Sequence, residues 1–431
     1  MEFVTGLDLE EFNAFVENHP TKSHFLQSPF WGEVCKYRKL FPHYVGMKSN
    51  GRLVAAALLL EKKLPFGFSH FYSPRGFVLD YNDFATLKAF TSAVKNYVKK
   101  LKGIYFKIDP DIILHEIDKD ARPVNGGRNN YQLVKVLKEL GYLHRVYYRN
   151  FEGSQPRFTF RINTADSWEE IEKRFSPSTK QRIRKAASYG IEVTVGTKED
   201  LQTFYQLVAA TEKRKNIYQH DYRFYVHLYD VFSKNDRVKL FLGTVYPDRI
   251  VTKLQNDLQN YRKEMAGLQE KAKISKGKKL QNRIEQLAKQ LAKTEADLEL
   301  FSKYSSKYPE GLTVSAQLIV YYGDKGWVLY VGNHDDLSET FANYLVYRQH
   351  IKHAHEKGII KYDQFGTVGD LSKNNPLLGL HEFKKKFGGE YLEFIGEFVM
   401  ITNRPAYILF SRIAPLYRKA GLLLRRMRHD F

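Results

Sequence analysis

Cysteine is almost absent from this chain. Cys35 stands alone, which excludes a disulfide framework and a cysteine-built zinc site and suits a reducing cytosol. Long apolar runs are missing too: the longest, Leu53 to Leu60, is far short of the ~20 residues that a membrane span needs. Met1 to Phe12 carries acids and no basic n-region before an apolar core, so it does not read as a signal peptide. His353 and His355 are two apart on a predicted helix and face different ways, which makes them poor partners for a metal. Acids are scarce relative to bases. The 48 Asp and Glu face 68 Lys and Arg, leaving +20 spread over the whole length. That balance predicts an anionic partner, whether nucleic acid, a phospholipid surface or a phosphorylated substrate.

What is present begins with size and apolar content. At 431 residues and 43% hydrophobic, the chain can form two globular domains and is not disordered. Between Val251 and Lys303 two heptad runs interrupt it. Leu254, Leu258, Tyr261, Met265, Leu268 and Ala272 recur at steps of four and three. Leu280, Ile284, Leu287, Leu291, Leu298 and Phe301 then follow a similar pattern. Ser275-Lys276-Gly277-Lys278 separates them, so a coiled-coil helical hairpin is expected. Arms of roughly 22 to 24 residues would project about 35 Å. Lysines and arginines outnumber acids along it, as suits a long anionic partner or a solvated helix face.

Around that arm the reading is α/β. Tyr44 to Lys48 and Arg52 to Lys62 predict two strands joined by Ser49-Asn50-Gly51, and Thr86 to Lys102 predicts a helix. Gly103 to Ile108 predicts a short buried strand that stops at Asp109-Pro110-Asp111. Near Gln155 the order restarts. The expected division is a first α/β domain over 1–154, a second over 155–249 and 305–403, the helical hairpin at 250–304 inside it, and a tail at 404–431. In the tail Ile413, Leu416, Tyr417, Ala420, Leu423, Leu424 and Met427 share a helical face and Arg412, Arg418, Lys419, Arg425, Arg426 and Arg428 take the rest. Such a basic amphipathic helix lies on anionic membrane or nucleic acid, or packs on its own domain.

Three constellations have chemical potential. Ser176 to Lys185 sets a capped helix start beside a cationic turn with Lys180, Arg182, Arg184 and Lys185, which suits phosphate. Thr211 to Asn216 resembles it. Tyr362-Asp363-Gln364-Phe365-Gly366 places an acid and a glycine turn just past a strand. Leu380 to Glu390 holds lysines between aromatics, where partial desolvation would make a lysine charge effective on a developing oxyanion.

Taken in order, Ser28-Pro29-Phe30-Trp31-Gly32-Glu33-Val34-Cys35-Lys36, Ser73-Pro74-Arg75-Gly76-Phe77, Lys107-Ile108-Asp109-Pro110-Asp111, the basic helix at Arg182 to Lys185, the Tyr362-Asp363 turn, and Phe383-Lys384 with Phe387-Gly388-Gly389 resemble the Fem family. Its FemX, FemA, FemB and MurM-like aminoacyltransferases build peptidoglycan bridges, and the likeness is closest to the FemX-type members that add the first bridge residue. The resemblance implies an α/β (α+β) fold of two tandem GNAT-like, acetyltransferase-like domains without acetyl-CoA chemistry. In agreement, neither unit carries a pyrophosphate loop; Arg122-Pro123-Val124-Asn125-Gly126-Gly127 comes nearest, with asparagine where the first glycine belongs. The implied donor is aminoacyl-tRNA. The implied acceptor is the amine of the third stem-peptide residue on lipid II or UDP-MurNAc-pentapeptide, with no cofactor and no metal. By the same likeness, Lys36 and Arg214 would bind the acceptor's phosphates and Tyr362 and Asp363 would belong to the substrate site. Lys384 would stabilise the oxyanion, Phe383 would shape its pocket, and Asp109 would orient the amine or relay its proton. Lys180, Arg182, Arg184 and Lys185 would meet tRNA. The family's further carboxylate falls on Glu390, Glu393 or Glu397. The expected place of work is the cytoplasm, at the inner face of the cell membrane. The rival readings are an acetyl-CoA-dependent N-acyltransferase and a noncatalytic RNA-binding protein.

Overall fold

A computed structural model describes residues 1–145, 148–215, 220–275 and 277–411, without the side chains of residues 214 and 215. The first half of the chain runs β1 (Glu2–Thr5), α1 (Leu9–Glu17), α2 (Pro29–Tyr37), β2 (Phe41–Ser49), β3 (Arg52–Lys63), β4 (Ser69–Ser73), β5 (Val78–Leu79), α3 (Phe84–Lys100), β6 (Gly103–Ile108), β7 (Ile113–Glu116), α4 (Tyr131–Glu139) and β8 (Leu143–Arg145). Next come β9 (Phe158–Asn163), α5 (Trp168–Lys173), α6 (Pro177–Ser188), β10 (Glu192–Gly196), α7 (Leu201–Lys215), α8 (Tyr222–Ser233) and β11 (Val238–Val245). The arm is α9 (Pro247–Ile274) and α10 (Lys278–Lys307). Last are β12 (Leu312–Tyr322), β13 (Lys325–Asn333), α11 (Ala342–Glu356), β14 (Lys361–Asp363), α12 (Leu378–Lys385), β15 (Glu390–Phe394) and β16 (Glu397–Ile401).

The strands form two mixed sheets, as the α/β reading expects. One is ordered β1-β2-β3-β4-β6-β16-β8 with β5 beside β3, and the other β10-β11-β12-β13-β14-β9-β15-β7. The sheets do not respect the division expected at residue 154. β7, from the first half, pairs with β15 in the second sheet, while β16, from the far end, lies between β6 and β8 in the first. Each sheet is completed by a strand from the other half of the chain. Local patterning could not reveal this exchange, because a strand's own residues do not state which remote partner it pairs with.

Side-chain alternation along the strands separates the cores. On β3, Ala56, Leu58 and Leu60 face a core shared with Phe12 of α1, Trp31 of α2, Leu207 of α7 and Phe224 of α8; Ala55, Ala57 and Leu59 face α3 on the other side. On β12, Ala316, Leu318 and Val320 join the same shared core, and Ile319 and Tyr321 face α11. Helices α1, α2, α7 and α8 therefore fill the space between the sheets, and the sheets are locked by the largest core of the molecule.

The arm exceeds its expected length. Its helices have 28 and 30 residues, about 42 and 45 Å at 1.5 Å per residue. Pro247 starts α9 before the heptads begin and Lys307 ends α10 after they finish, and the base packs on the body. There Ile250, Leu254 and Phe301 share a core with Ala186 and Tyr189 at the end of α6. Farther out, Arg262 pairs with Glu295 at 2.8 Å and Arg283 with Glu264 at 2.5 Å, from helix to helix. Residues 404–411 are helical; the rest of the expected tail helix, 412–431, lies outside the described residues. Among the described residues no helix is long and apolar enough to cross a membrane.

Candidate active site at the seam between the sheets

The chain passes from one sheet to the other through Asp109-Pro110-Asp111, between β6 and β7. Both carboxylates are buried, and their surroundings push them apart. Asp109 accepts from the Tyr72 hydroxyl at 2.8 Å and the Arg75 backbone N–H at 2.7 Å. Burial raises its pKa to about 6, despite the opposing charges of Arg75 and Lys107. Tyr72 stays a neutral donor, since burial first and the Asp109 charge second raise its own pKa. Asp111 receives both its hydrogen bonds from the Arg161 guanidinium, at 2.9 and 3.0 Å. Burial alone would raise its pKa, but Arg161 and then Lys325 outweigh that and hold it well below the carboxylate range. Two acids two residues apart thus differ in role: Asp109 can exchange a proton near neutral pH and Asp111 remains an anion.

Arg161 is an arginine inside a central strand, between β14 and β15, and it spans two acids. Its Nε bonds Asp363 at 2.9 Å while Nη2 holds Asp111. Asp363 also accepts from Thr159 Oγ1 at 2.5 Å and from the Phe365 N–H at 2.8 Å, which fixes the turn after β14. Lys384, buried on the last turn of α12, donates to the carbonyls of Phe365 and Gly366 in that turn, the latter at 2.6 Å. Gly366 has φ +60°, and an added Cβ would come within 2.8 Å of Phe151 and Pro156, so glycine is required for the turn to sit under the linker between the halves. The Pro156 carbonyl in turn accepts from Arg75 Nη2 at 2.7 Å. Asp109 and Lys384 are therefore joined by two routes, through Arg75, Pro156 and Gly366, and through Asp111, Arg161 and Asp363.

Other linker residues close the same region. Glu397 on β16 accepts from the Ser154 N–H at 2.6 Å and from Lys107 at 3.1 Å, and Lys107 lies over the Tyr72 ring. Lys325, at the start of β13, reaches the Ser23 carbonyl at 2.7 Å; burial lowers its pKa to about 8 against the pull of Asp111. Lys22 donates to the Asp111 carbonyl at 3.1 Å. The seam holds cations in excess of acids.

The predicted residues divide accordingly. Asp109, Asp363 and Lys384 come together. Phe383 packs edge-on against Tyr344 and Tyr347, with centroids 5.0 and 5.1 Å away. Tyr344 is also where Arg182 of α6 donates and stacks, so the basic helix adjoins the Phe383 cluster. Lys180 donates to the Lys173 carbonyl at 2.9 Å, Lys185 lies over Tyr189 and Phe341, and Arg184 is exposed. Tyr362 is a correction. Alternation along β14 turns it away from Asp363 into the core, fully buried, with its hydroxyl 2.7 Å from His350 Nδ1. Lys36 is 55% exposed and pairs with Glu33 on its own helix at 2.5 Å, whereas Asp109 and Lys384 are buried. Its neighbour Tyr37 bonds Asp221 at the start of α8 at 3.0 Å, a few residues past Arg214, whose side chain lies outside the described set. Of the three glutamates, Glu390 is exposed near Arg128 and Glu393 is buried between Arg157 and His115. Glu397 is the one whose charge acts on Asp109. Arg161, Lys325, Lys22 and Tyr72 escaped the sequence reading. Arg161 takes a polar position of β9 with Thr159 and Asn163, opposite Phe158, Phe160 and Ile162, so alternation alone does not single it out. Among the described residues no group of His, Cys, Asp or Glu converges as a metal would need.

Comparison with known proteins covers the molecule almost end to end. The lipid II:glycine glycyltransferase of Staphylococcus aureus strain USA300 is 30% identical over 425 residues, 97% of each chain. That of strain MSSA476 is 29% identical over the same span. A crystal structure of FemX superposes with a TM-score of 0.74 at 28% identity, covering 95% of this chain and 99% of that one. The sequence model of the FemAB family matches residues 7–414. With the motifs, the sheets and the relatives in agreement, the chain belongs to the FemAB family.

Proposed function

We propose that this protein moves glycine, alanine or serine from aminoacyl-tRNA to the side-chain amine of the third stem-peptide residue of lipid II, or of its UDP-linked precursor. The observation that carries this reading is the buried Asp109, its pKa raised to about 6, in a chain that aligns over 97% of its length with lipid II:glycine glycyltransferases. Aminoacylation of the tRNA has already activated the carbonyl, so attack needs no ATP. The acceptor nitrogen adds to the ester carbon, the carbonyl becomes a tetrahedral oxyanion, and collapse breaks the bond to the ribose oxygen. The proton lost by the nitrogen passes to Asp109 and from there to the ribose oxygen. Lys384 supplies positive charge toward the oxyanion, Phe383 walls the pocket, and Asp363 with Arg161 fixes the turn that Lys384 holds. Lys36 and Arg214 take the acceptor's phosphates.

The donor would lie along α6 and the arm. Arg184 is exposed on α6, and the arm base packs against the end of that helix, so cations continue from one to the other. Lys263, Lys271, Lys289 and Lys293 on the arm have no ion pair among the described residues. Work at the inner membrane face follows from a lipid-linked acceptor.

Glycyl-, alanyl- and seryl-tRNA labelled in the amino acid, offered with lipid II and separately with the UDP-linked precursor, test the reading. Label should pass from at least one donor. Lys384→Ala and Asp109→Asn should each lower the rate about 100-fold or more with tRNA binding retained. Binding of RNA with no transfer from any charged tRNA would instead assign the noncatalytic RNA-binding role.

A further inference from the structure

The loop between β3 and β4 carries a phenylalanine where the backbone favours glycine or asparagine. Phe66 has φ 61° and ψ 24°, and Gly67 follows at φ 72°. A bulky side chain is disfavoured in this left-handed region. The turn is closed by the Leu64 N–H to the Phe68 carbonyl at 2.8 Å, and it presents the Phe66 ring to solvent, 86% exposed. That ring meets no other aromatic ring among the described residues. An unfavourable backbone conformation is thus held with no aromatic contact among the described residues in return.

A second apolar surface adjoins it. Phe68 meets Phe410 edge-on at 5.9 Å between centroids, and Phe410 lies in the helical segment 404–411, where Ile408 and Leu409 are 45% and 52% exposed. Cations frame the pair. Lys62, Lys102 and Arg404 are exposed and have no ion pair among the described residues. Lys102 sits between the two surfaces: its carbonyl accepts from the Ser69 N–H at 3.2 Å, and the next carbonyl, Gly103, accepts from Thr402 Oγ1 at 2.6 Å. The chain then continues through residues 412–431, whose sequence has six Lys or Arg against one acid.

We propose that Phe66, Ile408 and Leu409 form an apolar foot that docks this protein on an anionic phospholipid bilayer. Lys62, Lys102 and Arg404 lie against the headgroups. An aromatic ring and two aliphatic side chains enter the interfacial region, and the surrounding cations are drawn to the negative surface potential. The sequence that follows residue 411 is basic and is drawn to the same surface potential. This inference rests on the proposed function only for its purpose, since vesicle binding requires neither tRNA nor acceptor, and the two can fail separately.

Flotation of the full-length protein with phosphatidylglycerol/phosphatidylcholine vesicles, and with phosphatidylcholine alone, tests it. The protein should float with the anionic vesicles only. Phe66→Gly should weaken that binding about ten-fold without lowering Tm, because glycine adopts the turn freely. Ile408→Ser with Leu409→Ser should weaken it similarly, and Phe66→Trp should keep it, with an emission shifted to the blue on vesicles. Transfer to the soluble UDP-linked acceptor should be unchanged in all of them. Absence of binding by the unaltered protein would overturn the proposal. So would unaltered binding by the Phe66 and Ile408/Leu409 variants when truncation after Ser411 abolishes it, which would assign docking to the tail alone. A dimer in sedimentation that Phe66→Gly dissolves would assign the patch to a second copy of the chain and equally overturn it.

Discussion

Asp109 and Asp111 show how two identical side chains acquire different chemistry from what surrounds them. The raised pKa of Asp109 has a sign that can be followed. Protonation is favoured in the folded state, so its stabilising contribution is full below the unfolded pKa near 3.8 and is lost as pH rises through about 6. The loss is roughly 3 kcal/mol. For the proposed transfer, the basic form is the useful one. The kcat/KM profile should rise with pH and bend near 6, and Asp109→Asn should remove the bend along with the activity while unfolding at pH 8 no earlier than the parent. Arg161 works in the opposite sense. Arg161→Leu strands two buried carboxylates and should cost about 3–5 kcal/mol, read as a lower denaturant midpoint with unchanged m-value. At this scale the sequence was legible where an acid ended a strand, as at Asp109. It was not legible where a strand face had to be chosen: Tyr362 and Asp363 are adjacent, and the pleat sends only one of them to the seam.

Helix periodicity is a strong signal over long stretches, and the two heptad runs fall within α9 and α10. Both helices run past the heptads, with Ile250 at one end and Tyr304 at the other packing in the core at the base. This divides the arm into a base that shares a core with the body and a distal part whose ion pairs, Arg262 with Glu295 and Arg283 with Glu264, run within the arm. Replacing residues 262–294 by a short turn should leave Tm within about 2 °C while weakening tRNA binding several-fold and reducing its salt dependence. Nitrocellulose filter binding across a salt series would measure both. An unchanged salt slope would take the arm out of the donor site. Helix α6 divides in a similar way, since Arg182 is committed to Tyr344 and Arg184 faces solvent.

Across the whole molecule, charge composition pointed to anionic partners and the order of motifs to the family, both from sequence. The exchange of β7 and β16 was invisible there, since it depends on pairing between segments almost three hundred residues apart; Phe398 sits opposite Ile108. It predicts one cooperative unfolding transition. Far-UV and near-UV circular dichroism should trace superimposable curves, and a fragment ending at residue 154, which lacks β16, should not fold alone. Two separate transitions would contradict the interlock. The same stitching surrounds the proposed site at Asp109 and Asp111. A body whose halves each hold a strand of the other has no jaw to open, because a hinge motion would tear ladder bonds on both sides of Asp109 and Asp111.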